Sequence, residues 1–410
     1  MTNSTATPLP DHTSAMTPVE RRATGALASI FALRMLGLFL VLPVFALEAR
    51  KYPGGDDPAL IGLAMGIYGL TQALFQIPFG VASDRLGRKR VIIFGLLVFT
   101  AGSLVAASAD TLMALLAGRA LQGAGAVSAA VSALLADMTR DHVRTKAMAL
   151  VGASIGLVFA LSLVVSPLLA AHLGLSGLFV LTALLAMGGV AMVAWGVPAE
   201  PVLHKDAARG GLLQVLRNPA LMRLNFGVFV LHAVQLAMWV AIPAFLVQAG
   251  LAKAEHWHVY LPAVMGSFVL MGGLFALERR GYLRAVFLSA IALIGWVQLA
   301  LLWVASGAPS VVMLGGLLFL FFCGFNVLEA TQPSLVSRLA PVESRGAAMG
   351  IYNTLQSLGL FAGGAMGGQL VKSYGTQALF FTCAALMLVW VAVAWGMVIP
   401  AKKEPASQTP

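Results

Sequence analysis

Charged side chains are scarce inside the long apolar runs of this chain, so the few that occur there are the ones with chemistry to offer. Glu329 is the one carboxylate deep within such a run, residues 310–337, and a carboxylate at that depth is placed to take up and release a proton. His232, within the run 221–248, is the second candidate, because an unperturbed imidazole changes charge near about pH 6.5. Each has a plain structural alternative. A lone histidine in an apolar helix can simply be a satisfied core residue. Glu329 lies over Ser128 when the chain is compared with itself, roughly 180° round the helix from Arg119, so it can also face a neighbouring helix as a hydrogen-bonding acid.

Arg34 and Arg119 sit near the middle of the runs 25–47 and 111–136, where an arginine costs about 2.5–3.5 kcal/mol even on the lenient insertion scale. Each is some ten residues from its run ends, so about 15 Å of helix rise separates it from water, which is far for snorkelling. Both are expected to line a hydrated cavity. Glu255-His256-Trp257-His258 looks like a metal cluster but stands at a run entrance without further close ligands, and is expected to be an interfacial aromatic anchor. Cys323 and Cys383 both lie in apolar runs, so no disulfide, metal or other cofactor is expected. The chain has no Walker loop, no His-Glu-x-x-His and no nucleophile beside a histidine and a carboxylate, and is not expected to be an enzyme.

The elements that hold these residues follow from composition. With 59% hydrophobic and 10% charged residues in 410, the chain is built for lipid. Runs of about 20 apolar residues, enough to cross about 30 Å of hydrocarbon, recur twelve times: 25–47, 59–81, 90–108, 111–136, 144–170, 176–197, 221–248, 255–277, 283–304, 310–337, 345–371 and 376–398. They must be helices, since unpaired backbone groups are costly in hydrocarbon and the period-2 alternation of a barrel is missing. The expected fold is an all-α membrane protein of twelve spans.

Net charge +10 suggests nucleic acid until position is considered. If the amino terminus is cytoplasmic, all but six of the 26 Lys and Arg residues fall on that side or its helix ends; the exceptions are Arg50, Lys51, Lys253, Lys372 and the in-span Arg34 and Arg119. The positive-inside rule therefore puts both termini in the cytoplasm, and no nucleic-acid partner is expected. No signal peptide is recognisable, so the first span is expected to be retained, and Thr17-Pro18-Val19-Glu20 reads as a capping box ahead of it.

The chain also repeats itself. At an offset of about 200 residues, Pro43-Val44-Phe45 lies over Pro243-Ala244-Phe245 and Arg144-Thr145-Lys146-Ala147-Met148 over Arg345-Gly346-Ala347-Ala348-Met349, with Glu278-Arg279-Arg280-Gly281 a faded echo of the basic hairpin Gly80–Arg90. The predicted organisation is a cytoplasmic segment 1–24, pseudo-symmetric six-helix bundles at 25–197 and 221–398, a cytoplasmic linker 198–220 and a tail 399–410. Ala120, Ala124, Ser128, Ser132 and Ala136, like Gly359, Gly363 and Gly367, repeat every four residues as helix-packing stripes.

With these residues in hand, the chain resembles the major facilitator superfamily over essentially its full length. The signature between spans 2 and 3 is matched at Gly80, Asp84, Arg85, Gly87, Arg88 and Lys89, with Ala82 replacing the usual leucine, and the span 4 signature is met by Arg119, Gln122, Gly123, Gly125 and Ala126. The Gly-Pro pair that marks antiporters in span 5 is reduced to Ser166-Pro167. Within the superfamily the chain is similar to the YajR-type proton-driven efflux transporters, through Leu33-Arg34-Met35-Leu36-Gly37, Gly66–Ala73 and Lys146-Ala147-Met148-Ala149. Such members can carry a soluble domain after span 12; this sequence ends at Pro410 and is expected to act without one. The resemblance implies a conformational gate that latches the two bundles on the cytoplasmic side in the outward-open state, with Asp84 docking near Ser344 and Arg345 at the start of span 11 while Arg88 reaches Asp137. Without it, the same basic residues read as a tight cytoplasmic turn.

These features converge on a secondary active transporter that works by alternating access to a mid-membrane site lined by spans 1, 4, 7 and 10. Met35, Phe39, Tyr68, Gln72, Gln122, Gln235, Trp239, Asn326, Asn353 and Gln356 join Arg34 and Arg119 as expected cavity residues, an apolar lining with scattered amides that suits a small amphipathic molecule. Two arginines against one acid make that cavity positive, favouring neutral or anionic substrates. Proton-coupled efflux by a monomer in a bacterial inner membrane leads; a proton-coupled symporter or a uniporter importing a small metabolite shares the topology and stays open.

Overall fold

The computed structural model describes residues 15–200, 212–341 and 344–397. Much of the expected linker and all of the expected tail lie outside the described residues. The chain runs through α1 (Pro18–Glu48), α2 (Pro58–Leu86), α3 (Arg88–Ala107), α4 (Leu112–Ala124), α5 (Ser128–Asp137), α6 (Asp141–Ala191), the short α7 (Leu212–Leu216), α8 (Pro219–Gln248), α9 (Trp257–Leu277), α10 (Leu283–Val304), α11 (Val311–Leu339) and α12 (Arg345–Trp395). No strand occurs among the described residues, as the demand for internal backbone pairing in lipid dictates.

Among the described residues nine helical stretches are long and apolar enough to cross a bilayer. Two of them, Lys146–Gly196 and Arg345–Trp395, have 51 residues each. A straight helix of that length would measure about 76 Å against about 30 Å of hydrocarbon. Glycines resolve the excess: Gly174 (φ 63°, ψ −172°) and Gly375 (φ 81°, ψ 176°) adopt backbone angles that only glycine tolerates, and they divide α6 and α12 into arms 141–173 and 175–191, 345–374 and 376–395.

Those two breaks stand in equivalent places of the repeat, and local contacts repeat with them. Arg22 donates to the carbonyls of Gly196 (3.3 Å) and Trp195 (3.5 Å). In the second half Arg223 donates to the carbonyl of Gly396 (2.5 Å) and Arg284 to that of Trp395 (2.6 Å). Trp195, Trp395 and Tyr282 are exposed at the face that carries the basic hairpin, and Trp303 and Tyr374 at the opposite, far face, forming the two aromatic belts of a membrane protein.

The capping box is formed as its sequence specifies, with Thr17 N–H donating to Glu20 Oε2 (2.8 Å) and Glu20 N–H to Thr17 Oγ1 (3.2 Å). Glu20 then takes Arg140 Nε at 2.9 Å, fastening the start of α1 to the α5–α6 connection. One expected span departs from prediction. Residues 111–136 are broken at 125–127, where a side chain on Gly125 would run into the carbonyl of Gly95 on α3. The break gives Ser128 the first position of α5.

Within the first half α1 and α3 pack on α6, and α2 on α4; within the second, α8 and α10 pack on α12, and α9 on α11. Between halves the main contact is α2 on α12, with α1 on α8 and α6 on α9 beside it. A side chain on Gly62 would overlap the carbonyl of Gly364, and one on Gly364 the carbonyl of Gly62, so these backbones touch directly. Further along, Gly66 meets Phe361 and Gly69 meets Ser357. The contact therefore runs from the far face to mid-membrane. α8 is enclosed on nearly all sides, with 89% of its apolar window buried, against 29% for α6.

Candidate functional site

The two titratable candidates, far apart in sequence, come together. His232 on α8 places Nε2 3.4 Å from Glu329 Oε2 on α11. Gln356 on α12 joins them, its Nε2 lying 2.8 Å from His232 Nε2 and 3.3 Å from Glu329 Oε1. His232 Nδ1 is 2.9 Å from the Val228 carbonyl, which can only accept, so Nδ1 carries the ring proton and Nε2 offers its lone pair to the Gln356 amide. His232 is buried; the Glu329 side chain is 39% exposed. The site thus has one sheltered base and one acid with access to solvent-sized space.

In the first half the same pair of helices in the repeat holds a cation. Arg34 on α1 is 1% exposed and donates to Ser128 Oγ (2.9 Å), Tyr68 Oη (2.6 Å) and Gln72 Oε1 (3.2 Å). Arg119 on α4 donates to Gln122 Oε1 (2.9 Å) and the Met65 carbonyl (3.3 Å), and Gln122 Nε2 donates on to Ser103 Oγ (2.8 Å). Tyr68 stands between the arginines, with the Arg119 guanidinium 5.1 Å from its ring centre and Arg34 on its hydroxyl. Among the described residues no carboxylate lies within ion-pair distance of either arginine, and the Nε of each is buried without a partner.

One hydrogen bond ties the two constellations. Gln72 Nε2 on α2 donates to Ser357 Oγ on α12 at 3.0 Å, while the Ser357 hydroxyl donates to the Asn353 carbonyl (3.0 Å). Ser357 is the next residue after Gln356. Spacing alone marks Ser128 only as part of a packing stripe and does not single out Ser357; both prove to be acceptors for site residues.

The other expected cavity residues divide. Met35, Phe39, Asn326 and Asn353 are half-exposed, and Asn326 donates to Ser267 Oγ at 2.9 Å. Gln235 is buried, and Trp239 is fully buried with its ring edge-on to Tyr260 (5.4 Å). His256 is buried against the same tyrosine (5.9 Å), while Trp257 is half-buried and His258 exposed.

At the hairpin face Arg88 Nε donates to Asp137 Oδ2 at 3.0 Å, and its Nη1 reaches Ser83 Oγ (2.7 Å) and Asp84. Asp84 therefore pairs one turn along its own hairpin; the expected docking against Ser344 and Arg345 is absent among the described residues. The reason is geometric, since the α2–α12 contact is made towards the far face. Gly87 turns the hairpin at φ 98°, and Glu200 caps the start of α3 by accepting from the N–H groups of Arg88 (3.0 Å) and Lys89 (2.7 Å). Lys89 Nζ also holds the Val197 carbonyl (2.7 Å), while Gly80 accepts from Ser83 Oγ (2.7 Å) and Arg85 is exposed.

Ion pairs cross between the halves at the far face. The buried carboxylate of Glu48 takes Lys51 (3.0 Å) and Lys253. Asp57 caps α2 at Ala59 N–H (2.9 Å) and pairs with Lys372 at 2.7 Å. The hydrogen bond from Lys372 holds the Asp57 carboxyl below its ordinary range.

Comparison with known proteins places this geometry in context. The Major Facilitator Superfamily model matches residues 27–364 and 330–410. The chain is 44% identical over 395 residues to the inner membrane transport protein YajR of Escherichia coli (strain K12), covering 95% of this chain and 85% of that protein. It is 25% identical over 349 residues to the quinolone resistance protein NorA of Staphylococcus aureus (strain MSSA476), covering 82% and 86%. Among solved structures, an auto-inhibited POT family peptide transporter shares the fold at TM-score 0.73 and 15% identity, with 94% of this chain and 99% of that one covered.

Proposed function

The chain belongs to the Major Facilitator Superfamily, and from that premise we propose that it is a proton-coupled exporter of a small amphipathic molecule. It works by alternating access between bundles at 25–197 and 221–398, twelve spans in all, in a bacterial inner membrane with both termini cytoplasmic. The relative named as an inner membrane transport protein supports the location. The relative named for quinolone resistance supports export, since lowering the internal concentration of a drug is a route to resistance.

The observation that carries proton coupling is the meeting of His232, Glu329 and Gln356 at mid-membrane depth. An imidazole lone pair and a carboxylate 3.4 Å apart repel when both are unprotonated and attract once a proton arrives. The pair is therefore a natural one-proton carrier. Contact between α2 and α12 at Gly62, Gly66 and Gly69, with open space beside Gly346 and Gly350 at the start of α12, supports a transporter closed at the far face and open towards the cytoplasm. In the opposite state the hairpin residues Gly80, Asp84, Arg85, Gly87, Arg88 and Lys89, with Asp137, form the cytoplasmic gate.

Arg34 and Arg119 lack a carboxylate partner, so the cavity is positive and favours neutral or anionic substrates over lipophilic cations. The test is flux into or out of proteoliposomes under imposed pH gradients, with ethidium, carboxyfluorescein and a quinolone as cationic, anionic and zwitterionic probes. Export coupled to proton entry, lost in Glu329→Gln, is the expected result. Flux in the same direction as the proton would establish a symporter, and flux indifferent to the gradient a uniporter.

A further inference from the structure

We infer that Gln356 and Ser357, adjacent residues of α12, convert the proton state of the His232–Glu329 pair into closure of the far face through the Ser357–Gln72 hydrogen bond. The inference rests on the proton-carrying reading of that pair.

The chemistry is set by a single lone pair. His232 Nδ1–H is committed to the Val228 carbonyl, so Nε2 has one acceptor site, and the Gln356 amide occupies it at 2.8 Å. An incoming proton must bind at that same lone pair. Protonated Nε2 then donates to Glu329 Oε2, now 3.4 Å away and without a hydrogen-bond partner, and the amide N–H group of Gln356 is expelled. One N–H bond forms at Nε2 as one O–H bond of a hydronium ion breaks, leaving water, and no other covalent bond changes.

Gln356 cannot move alone. The next residue, Ser357, is 1% exposed, and its carbonyl lies where a side chain on Gly69 of α2 would fall. Its hydroxyl accepts from Gln72, whose own carbonyl is held by Arg34, itself bonded to Ser128 on α5. A shift of α12 at 356–357 is thus felt at the one place where, among the described residues, polar side chains of the two halves are hydrogen-bonded at mid-depth. The neighbouring ionisable groups do not compete for this role. Tyr352 of α12 is a buried phenol without a hydrogen-bond partner; α1 and α2 contribute Arg34 and Tyr68, which bond each other; Cys323 of α11 is buried six residues before Glu329.

The measurement is a spin-label distance across the far face, between cysteines introduced at the exposed Asp56 and Tyr374, in proteoliposomes from pH 5 to 8. The native Cys323 and Cys383 are buried and stay unlabelled. The parent protein should show a pH-dependent redistribution between short and long distances. Ser357→Ala and Gln72→Met should each abolish that redistribution, because both remove the Gln72–Ser357 bond; Gln72→Met also loses the bond from Arg34, so the double variant should do no more than Gln72→Met alone. Gln356→Leu frees the lone pair and should move the midpoint to higher pH. If Ser357→Ala and Gln72→Met follow pH as the parent does while Glu329→Gln does not, the α12 linkage is overturned and the proton reading stands. If Glu329→Gln responds like the parent, the proton reading itself fails, and the linkage with it.

Discussion

Lys253, in the connection between α8 and α9, bonds the buried carboxylate of Glu48 at the end of α1, so the far face is held shut by charge drawn from both halves of the chain. Glu48 also holds Lys51 at 3.0 Å. Replacing it with glutamine leaves two lysines facing a neutral amide. Hydrogen bonds to charged groups are worth about 1.5–3 kcal/mol. Glu48→Gln is therefore expected to raise the population open at the far face by roughly ten- to hundredfold, read as a longer spin-label distance between positions 56 and 374. An unchanged distance would remove Glu48 from the gate.

Asp57–Lys372, the second pair across that face, predicts a pH response by its sign. Its carboxyl sits below the ordinary value of 3.8, chiefly through the hydrogen bond from Lys372. A lowered value stabilises the paired state at all pH above 3.8 and loses that contribution only as pH falls through the lowered value. Between pH 5 and 8 the pair is constant. Asp57→Asn should therefore shift the open fraction by the same small factor at every pH in that window. Both side chains are substantially exposed, 37% and 50%, so the effect is under about 1 kcal/mol. A change in the shape of the pH curve would mean that Asp57, and not the mid-membrane pair, senses protons.

The spans were legible because lipid imposes one rule on every residue of a run, and the repeat because Pro43 and Pro243 keep their places inside α1 and α8. The break at 125–127 was not, since the residues around it are as apolar as any helix; only the approach of Gly125 to the Gly95 carbonyl shows why the helix stops. Arg34 and Arg119 could be singled out by cost alone, yet their partners could not. Ser128 looks like a packing residue until Arg34 arrives from α1. Likewise His232 and Glu329 stood as rival candidates, and nothing in their sequence spacing says that α8 and α11 bring them within 3.4 Å. Asp84 pairs with Arg88 while the far face is closed, and the docking near Ser344 and Arg345 is expected of the opposite state, so its sequence position does not say which partner it holds here.

Direct backbone contact between Gly62 and Gly364 makes a steric prediction. A methyl group at Gly62 meets the Gly364 carbonyl and the Gly368 backbone, with no flexible side chain to yield. Overpacking of this kind costs about 1–3 kcal/mol, all of it in the state closed at the far face. Gly62→Ala should shift the protein towards the opposite state, measured by the same label pair, while Gly25→Ala, with nothing within 4 Å of the added carbon, should not. Equal behaviour of the two variants would show that the α2–α12 contact opens without cost.

Arg34 separates a structural from a functional account. Its guanidinium satisfies Ser128, Tyr68 and Gln72 together, a fork that a lysine ammonium on a flexible stem does not reproduce. Arg34→Lys keeps the buried charge and loses donors, so it should destabilise the protein by about 1–3 kcal/mol. Arg34→Met loses the same donors and also removes a charge that no carboxylate compensates, which returns part of the burial cost. Thermal unfolding in detergent should therefore rank methionine as no less stable than lysine. If Arg34 is present to attract a neutral or anionic substrate, flux of carboxyfluorescein should fall in Arg34→Met despite that stability. A methionine variant that unfolds well below the lysine variant and transports normally when folded would instead make Arg34 a purely structural fork.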